Sequence, residues 1–194
     1  MKTGPLVLFV ALTTLGCKSS QSLDDGKTAS SNGLPPGEVE LQVPCSGPEF
    51  FTDEHVFRAN SVAVSNDLAV SKRRAMANAR ADLAAAIEVT VGTVTDSYVK
   101  SIGTTNNEAL SQRFESLTRE VTTQRLSGLR TLCERYFRTE AGRYKTYVAI
   151  ELSAQQLAES YKQRIQADSA LRNDFDYERF KTVFDAEMSK RSGN

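Results

Sequence analysis

Residues 129–152 read LRTLCERYFRTEAGRYKTYVAIEL. Two runs rich in β-branched and aromatic residues, Leu129–Arg138 and Arg143–Leu152, flank the short segment Glu140-Ala141-Gly142, in which the glycine suits a left-handed backbone position. This pattern predicts a β-hairpin and therefore an antiparallel pair of strands. In the second strand, the alternate residues that share one face are Tyr144, Thr146, Val148, Ile150 and Leu152.

Three elements are predicted before the hairpin. His55–Val64 alternates in polarity and reads as a first strand. Asp67–Ile87 contains no Gly or Pro and follows a capping Ser65 or Asn66, so it is predicted to be a helix. Val89–Thr95 is rich in β-branched residues and is predicted to be a second strand. A thin face of the helix, able to approach a sheet closely, is formed by Met76, Ala79, Leu83, Ala86 and Ile87.

Three more helices are predicted from capping patterns and apolar stripes. One follows a loop at Gly103–Asn107, opens at Thr105-x-x-Glu108 and ends at Ser127-Gly128. A second opens at Ser153-x-x-Gln156, and the last spans Asp174–Arg191. Their inward residues are, in order, Leu110, Phe114, Leu117 and Val121; Leu157, Tyr161 and Ile165; and Phe180, Val183, Phe184 and Met188.

The resulting order is β-α-β-α-β-β-α-α. Strands and helices interleave irregularly, and the strongest strand pairing is a hairpin. The sequence therefore predicts an α+β fold, with a four-stranded antiparallel or mixed sheet packed by helices, rather than a doubly wound fold.

The composition excludes several classes of protein. The chain has 194 residues, with 24 Lys+Arg against 24 Asp+Glu, so it lacks the overall positive charge that nonspecific nucleic-acid binding requires. It has no run of apolar residues long enough to cross a bilayer permanently. We therefore expect no nucleic-acid partner and no integral-membrane domain.

The amino terminus has the features of an export signal. Lys2 precedes an apolar run at residues 6–12, and Gly16-Cys17 follows it in a way that resembles a bacterial lipobox. Residues 1–16 are predicted to be a lipoprotein signal peptide and Cys17 the lipidated first residue of the mature chain. The alternative is a secreted protein with a spare thiol at this position. The residue after the cysteine is Lys18 rather than an aspartate, which resembles the sorting signal of outer-membrane lipoproteins.

The next segment is predicted to be a flexible tether. Residues 18–40 are rich in Ser, Gly, Asp and Lys and are poor in large apolar side chains, so they cannot form a core, and residues 17–43 are assigned to the lipidated cysteine and the tether. The remaining stretch, residues 44–194, has the length of one domain and is predicted to be a single α+β unit with C-terminal helices.

Four stretches of the chain resemble the LPP-twenty family of small outer-membrane lipoproteins from gram-negative bacteria. They are Phe57-Arg58-Ala59-Asn60, residues 78–84 (NARADLA), Leu126-Ser127-Gly128 and residues 142–152 (GRYKTYVAIEL), and the resemblance covers roughly residues 55–152. It implies a compact α+β domain on a lipid anchor, with no established enzymatic activity. Family members are tied to flagellar or envelope assembly and to surface antigens.

Cys45 and Cys133 remain as an even pair once Cys17 is lipidated. Because an exported protein occupies an oxidising compartment, a disulfide between them is one hypothesis. Two unpaired thiols are the alternative.

Few residues suggest catalysis, metal binding or cofactor binding. His55 lies beside Asp53 and Glu54, but no His/Cys cluster accompanies it, which favours a strand-end residue over a metal ligand. No nucleophile-and-base arrangement or phosphate-binding glycine motif is found, so we expect no catalytic residue, no metal and no cofactor.

Two groups of side chains have both a functional and a structural interpretation. The basic group Lys72-Arg73-Arg74 with Arg80 could contact lipid phosphates, lipopolysaccharide or an acidic partner, or could simply be a solvated helix face. The hairpin tyrosines Tyr136, Tyr144 and Tyr147 suit an interface but also suit a half-buried strand.

The sequence thus predicts a non-enzymatic outer-membrane lipoprotein, anchored by lipid and facing the periplasm or the cell surface. Its domain is expected to bind itself or other envelope components. The alternative is a surface-exposed lipoprotein that binds a ligand or a host factor.

Overall fold

Helices and strands follow one another as β1 (Val56–Ser65), α1 (Leu68–Ile102), α2 (Asn107–Arg125), β2 (Arg130–Arg138), β3 (Tyr144–Ser153), α3 (Ala154–Ala167) and α4 (Tyr177–Arg191), with short 3-10 turns at Pro48–Phe50 and Leu126–Gly128. The computed structural model describes residues 39–102, 107–169, 171–172 and 175–191. The predicted signal peptide, Cys17, the tether as far as residue 38, Thr105 and Asp174 lie outside the described residues. The prediction of an α+β fold with a sheet packed by helices is confirmed.

The sheet of the described residues is antiparallel, has three strands and has the order β1-β3-β2. The predicted hairpin joins β2 and β3. It turns through Gly142, whose φ of +76° is a conformation that suits glycine, and the Thr139 amide donates to the Arg143 carbonyl oxygen at 2.8 Å. β1 pairs with β3 without interruption, Phe57 opposite Leu152 and Ser65 opposite Tyr144, whereas β2 has an irregularity between Thr131 and Cys133.

The predicted second strand, Val89–Thr95, is wrong. These residues form the middle of α1. Val91, Val94 and Thr95 are buried while Gly92 and Thr93 are exposed, so burial follows the helical period. The Thr90 and Thr93 hydroxyls donate to the carbonyl oxygens of Ala86 and Val89, which gives these polar groups partners within the helix. Packing along a continuous helical face therefore overrides the β propensity of the segment. The described order is β-α-α-β-β-α-α.

The helices bury one face of the sheet. The α1 residues that face β1 and β3 are small in the first turns, where Ser71, Ala75 and Ala79 are fully buried, so the helix axis can approach the strands closely. The Ser71 hydroxyl also bonds to the Ala63 carbonyl oxygen and to the Thr146 hydroxyl.

The remaining predicted inward residues occupy the core as expected. Ser153 caps α3 by accepting from the Gln156 amide at 3.3 Å. The buried residues of α2, α3 and α4 include Phe114, Leu117, Val121, Leu157, Tyr161, Ile165, Phe180, Phe184 and Met188, while Leu110 and Val183 are partly buried.

Candidate binding surface

The face of the sheet that points away from the helices is the main candidate for a functional surface. Phe57, Val148, Ile150 and Leu152 belong to the hydrophobic core, so by strand alternation their neighbours point to the other side. We call this side the open face. Its residues are Arg58, Asn60, Val62 and Val64 of β1, Lys145, Tyr147, Ala149 and Glu151 of β3, and Arg130, Cys133, Arg135 and Phe137 of β2.

The chain before β1, from residue 44 to residue 55, is fixed to one half of the open face. Cys45 and Cys133, which the sequence offers as a pair, are disulfide-bonded with a Cα–Cα distance of 5.6 Å. Cys45 is only 5% exposed. Ala149, the cross-strand partner of Cys133, is fully buried although it belongs to the open face. The half of the open face around Ala149 and Glu151 is therefore covered, and we call it the covered half.

An ion network holds the covered half together. Glu151 is 7% exposed and accepts from two guanidinium groups, Arg58 Nε at 3.2 Å and Arg130 Nε at 2.6 Å. Arg58 Nη1 also donates to Asp53 Oδ2 at 2.7 Å and to the Phe51 carbonyl oxygen at 2.8 Å. A buried carboxylate between two cations is fully paired, and through Arg58 this network ties the preceding chain to the sheet.

Asp53 is part of the same network. Burial by itself raises the pKa of Asp53, but hydrogen bonds from the His55 amide, the Arg58 side chain and the Val56 amide outweigh it and hold this pKa below its usual value of 3.8. The carboxylate form is thereby favoured. Asp53 thus remains charged and bonded to Arg58 in neutral solution.

The other half of the open face is uncovered and carries aromatic and basic side chains. Phe137 and Tyr147 meet edge to face with ring centroids 5.6 Å apart, and Lys145 Nζ lies 5.0 Å from the centre of the Tyr147 ring. Phe137 is 48% exposed and Val62 is 42% exposed. Arg135 is exposed as well, and neither Arg135 nor Lys145 forms a salt bridge with any residue that the structure describes. We call these five residues the aromatic patch. Phe137 is thus exposed while Tyr147 is half-buried, and aromatic rings beside cations that have no described salt bridge suit an anionic or amphipathic partner.

An acidic groove lies in the other layer of the molecule. It has a volume of about 520 Å³ between α1 and α2, and its lining includes Glu88, Asp96, Glu108 and Glu115 with a single cation, Arg119. The aromatic patch is basic and this groove is acidic. The acidic lining disfavours an anionic partner in this groove, whereas the aromatic patch suits one.

The basic cluster predicted from the sequence is divided in the structure. Lys72 Nζ donates to Glu134 Oε2 at 3.1 Å and to the Tyr136 hydroxyl at 3.2 Å, and these bonds, first that to Tyr136 and then that to Glu134, raise its pKa above 10.5. Arg73, Arg74 and Arg80 are exposed on α1. The cluster therefore has one cation engaged with β2 and three facing solvent.

The three hairpin tyrosines also separate. Tyr147 alone of the three is on the open face. Tyr136 faces the helix layer beside Lys72, and Tyr144 contacts the Arg138 guanidinium at 5.9 Å from the ring centre. Of the three tyrosines, only Tyr147 therefore belongs to the aromatic patch.

His55 lies at the start of β1 with its side chain 81% exposed and its Nε2 3.3 Å from Glu54 Oε1. Among the residues that the structure describes, no group of three or more His, Cys, Asp or Glu side chains is placed to hold a metal ion. No helix in the described ranges combines the length and apolar character needed to span a bilayer.

Compared with known proteins, the chain matches no protein-family model and no curated protein sequence. The proposed function therefore rests on the surface residues of this chain.

Sequence reasoning did not single out Val62, Arg135 or Phe137. The sequence did contain a hint of the open face, because alternation along the predicted hairpin places Tyr147 and Val148 on opposite faces of the sheet. It did not reveal which face the helices cover.

Proposed function

We propose that this chain is a non-enzymatic outer-membrane lipoprotein of the LPP-twenty type, whose domain acts by binding copies of itself or other envelope components through the aromatic patch. The observation that carries the proposal is the Phe137–Tyr147 ring pair, in which Phe137 is exposed and Tyr147 is half-buried. It lies beside Lys145 and Arg135, on the face of the sheet that points away from the helices. The resemblance of residues 55–152 to that family supports the assignment.

The disulfide holds the chain that follows the proposed tether against the open face. Cys45 is bonded to the open face, and Cys17, the proposed anchor, precedes Cys45 by 28 residues (45 minus 17). A flexible chain of this length has a root-mean-square reach of roughly 30 Å.

If Cys17 is the lipid anchor, its removal should change where the protein is found in the cell. Replacing Cys17 by alanine removes the lipidated residue, so we expect the protein to move from the membrane fraction to the soluble fraction. Cell fractionation followed by immunoblotting measures this. The double variant Cys45→Ala/Cys133→Ala, which keeps Cys17, is the matched control and is expected to stay with the membrane. A Cys17→Ala protein that remained membrane-bound would contradict the anchor.

The binding role is tested by chemical crosslinking of intact cells, followed by mass spectrometry of everything captured with this protein. We expect reproducible links to the chain itself or to one envelope assembly. Capture of nothing above background would contradict the proposal.

A surface-exposed lipoprotein that binds a ligand or host factor is the second candidate, because the family it resembles includes surface antigens and the aromatic patch suits either role. Protease treatment of intact cells separates the two. Cleavage of the domain favours the surface binder, and full protection favours a periplasmic partner.

A further inference from the structure

The two edges of the sheet differ in how well they are protected from pairing with another strand. β2, at one edge, has an irregularity between Thr131 and Cys133 and carries Glu134, Arg135 and Arg138. Bulges and charges of this kind discourage edge-to-edge pairing. β1, at the other edge, has no charged residue and no proline from Ala59 to Ser65, and its pairing with β3 has no irregularity.

The first part of the β1 edge is occupied within the chain. The Arg58 amide donates to the Thr52 hydroxyl at 2.9 Å, the same hydroxyl donates to the Arg58 carbonyl oxygen at 3.2 Å, and the Asp53 amide donates to the Val56 carbonyl oxygen at 3.0 Å. These bonds show that the backbone groups of the even-numbered residues point away from β3.

The second part of the β1 edge has no such cover. By the same alternation, the amides and carbonyls of Asn60, Val62 and Val64 point outward, and none of them has a backbone or side-chain hydrogen-bond partner within the described ranges. The Val62 side chain is also well exposed. An uncharged, β-branched edge with free donors and acceptors is a template for another strand.

We propose that the Asn60–Val64 edge of β1 pairs, antiparallel and centred on Val62, with the same edge of a second copy of this chain. In that register Val62 lies opposite its symmetry mate, and Asn60 lies opposite Val64 of the second copy. The edge is therefore self-complementary, and no charge opposes a like charge across the two-fold axis. This pairing identifies the partner for the self-binding form of the proposed function and rests on it, although it does not require the lipid anchor.

The pairing also bears on the aromatic patch. A two-fold axis perpendicular to the sheet joins the two sheets into one and keeps both open faces on the same side. Val62 belongs to the patch and lies at the junction, so the two patches become one larger surface. A partner that covers this surface contacts both copies.

The first test is the mass of the full-length chain carrying Cys17→Ser, which prevents association through lipid, measured by light scattering. We expect twice the monomer mass of 21.3 kDa. Val62→Lys places two ammonium groups opposite each other and is expected to give a monomer. Val89→Lys is the matched control, since Val89 is also an exposed valine but lies on α1, outside both the aromatic patch and β1, and it is expected to stay dimeric. Thermal unfolding verifies that each variant is folded.

A second measurement does not depend on disrupting the pair. In the proposed register the two Val62 Cα atoms are about 5.5 Å apart, which is within the range of a disulfide. Oxidation of Val62→Cys in intact cells should therefore give a covalent dimer on a non-reducing gel, whereas Phe137→Cys should not.

Three results would overturn the pairing: a monomeric parent chain, an unchanged dimer in Val62→Lys, or equal crosslinking from Val62→Cys and Phe137→Cys. A monomeric parent chain that still captures other envelope proteins in cells overturns only the pairing. A monomeric chain that captures nothing overturns the proposed function as well.

Discussion

Replacing Cys45 and Cys133 together by alanine lowers the free energy of unfolding by about 4 to 5 kcal/mol, because the bond joins residues 88 positions apart and its loss releases a long loop in the unfolded chain. Guanidinium unfolding of the oxidised parent and of the double variant measures the difference. The double replacement avoids an unpaired thiol. Cys17→Ala is the control and is expected to leave the stability unchanged.

The same variant has a local effect on the open face. Without the disulfide, residues 44–55 are held to the sheet by the bonds of Arg58 to Asp53 and Phe51 and by the hydrogen bonds of Thr52 and Asp53 to β1. We therefore expect the covered half to become accessible to solvent. A loss of stability below about 1 kcal/mol would mean that the disulfide contributes little beyond these bonds.

Phe180→Ala is expected to cost about 3 to 5 kcal/mol of unfolding free energy, the range for removing a large buried aromatic side chain. Phe180 is fully buried on α4. Its ring lies within 5.4 to 6.3 Å, centroid to centroid, of rings contributed by α1, α2, α3, α4 and the chain before α4, namely Tyr98, Phe114, Tyr161, Phe184 and Phe175. Its removal leaves a cavity at the point where the helices meet.

Phe137→Ala is the matched control for this prediction, because the same side chain is truncated at a site that is half exposed. Urea unfolding of both variants should give a loss several times larger at Phe180. Equal losses would contradict the assignment of Phe180 to the centre of the core.

Local patterns predicted the parts of the fold that local interactions determine. The β2–β3 turn follows from Gly142, and the start of α3 follows from the Ser153 cap. Both depend on residues close together in the sequence. The prediction of a strand at Val89–Thr95 was wrong for the opposite reason. The conformation of this segment is set by the burial of one side against other elements, and those contacts cannot be read from neighbouring residues in the sequence.

The candidate surface was predictable only in part. Cys45 and Cys133 were offered as a pair only because they are the two cysteines that remain once Cys17 is lipidated. Strand alternation also places Tyr147 on the face away from the core. Which half of the open face is covered depends on where residues 44–55 cross the sheet, and this is a contact between segments distant in the sequence.

The aromatic patch as the binding surface is the central claim, and position-specific photocrosslinking in cells tests it most directly. A photoreactive phenylalanine analogue replaces Tyr147 on the open face in one strain and Arg74, which is exposed on the opposite layer, in another. We predict that position 147 captures a partner or a second copy reproducibly and that position 74 does not. Capture from position 74 alone, or equal capture from both positions, would contradict the claim.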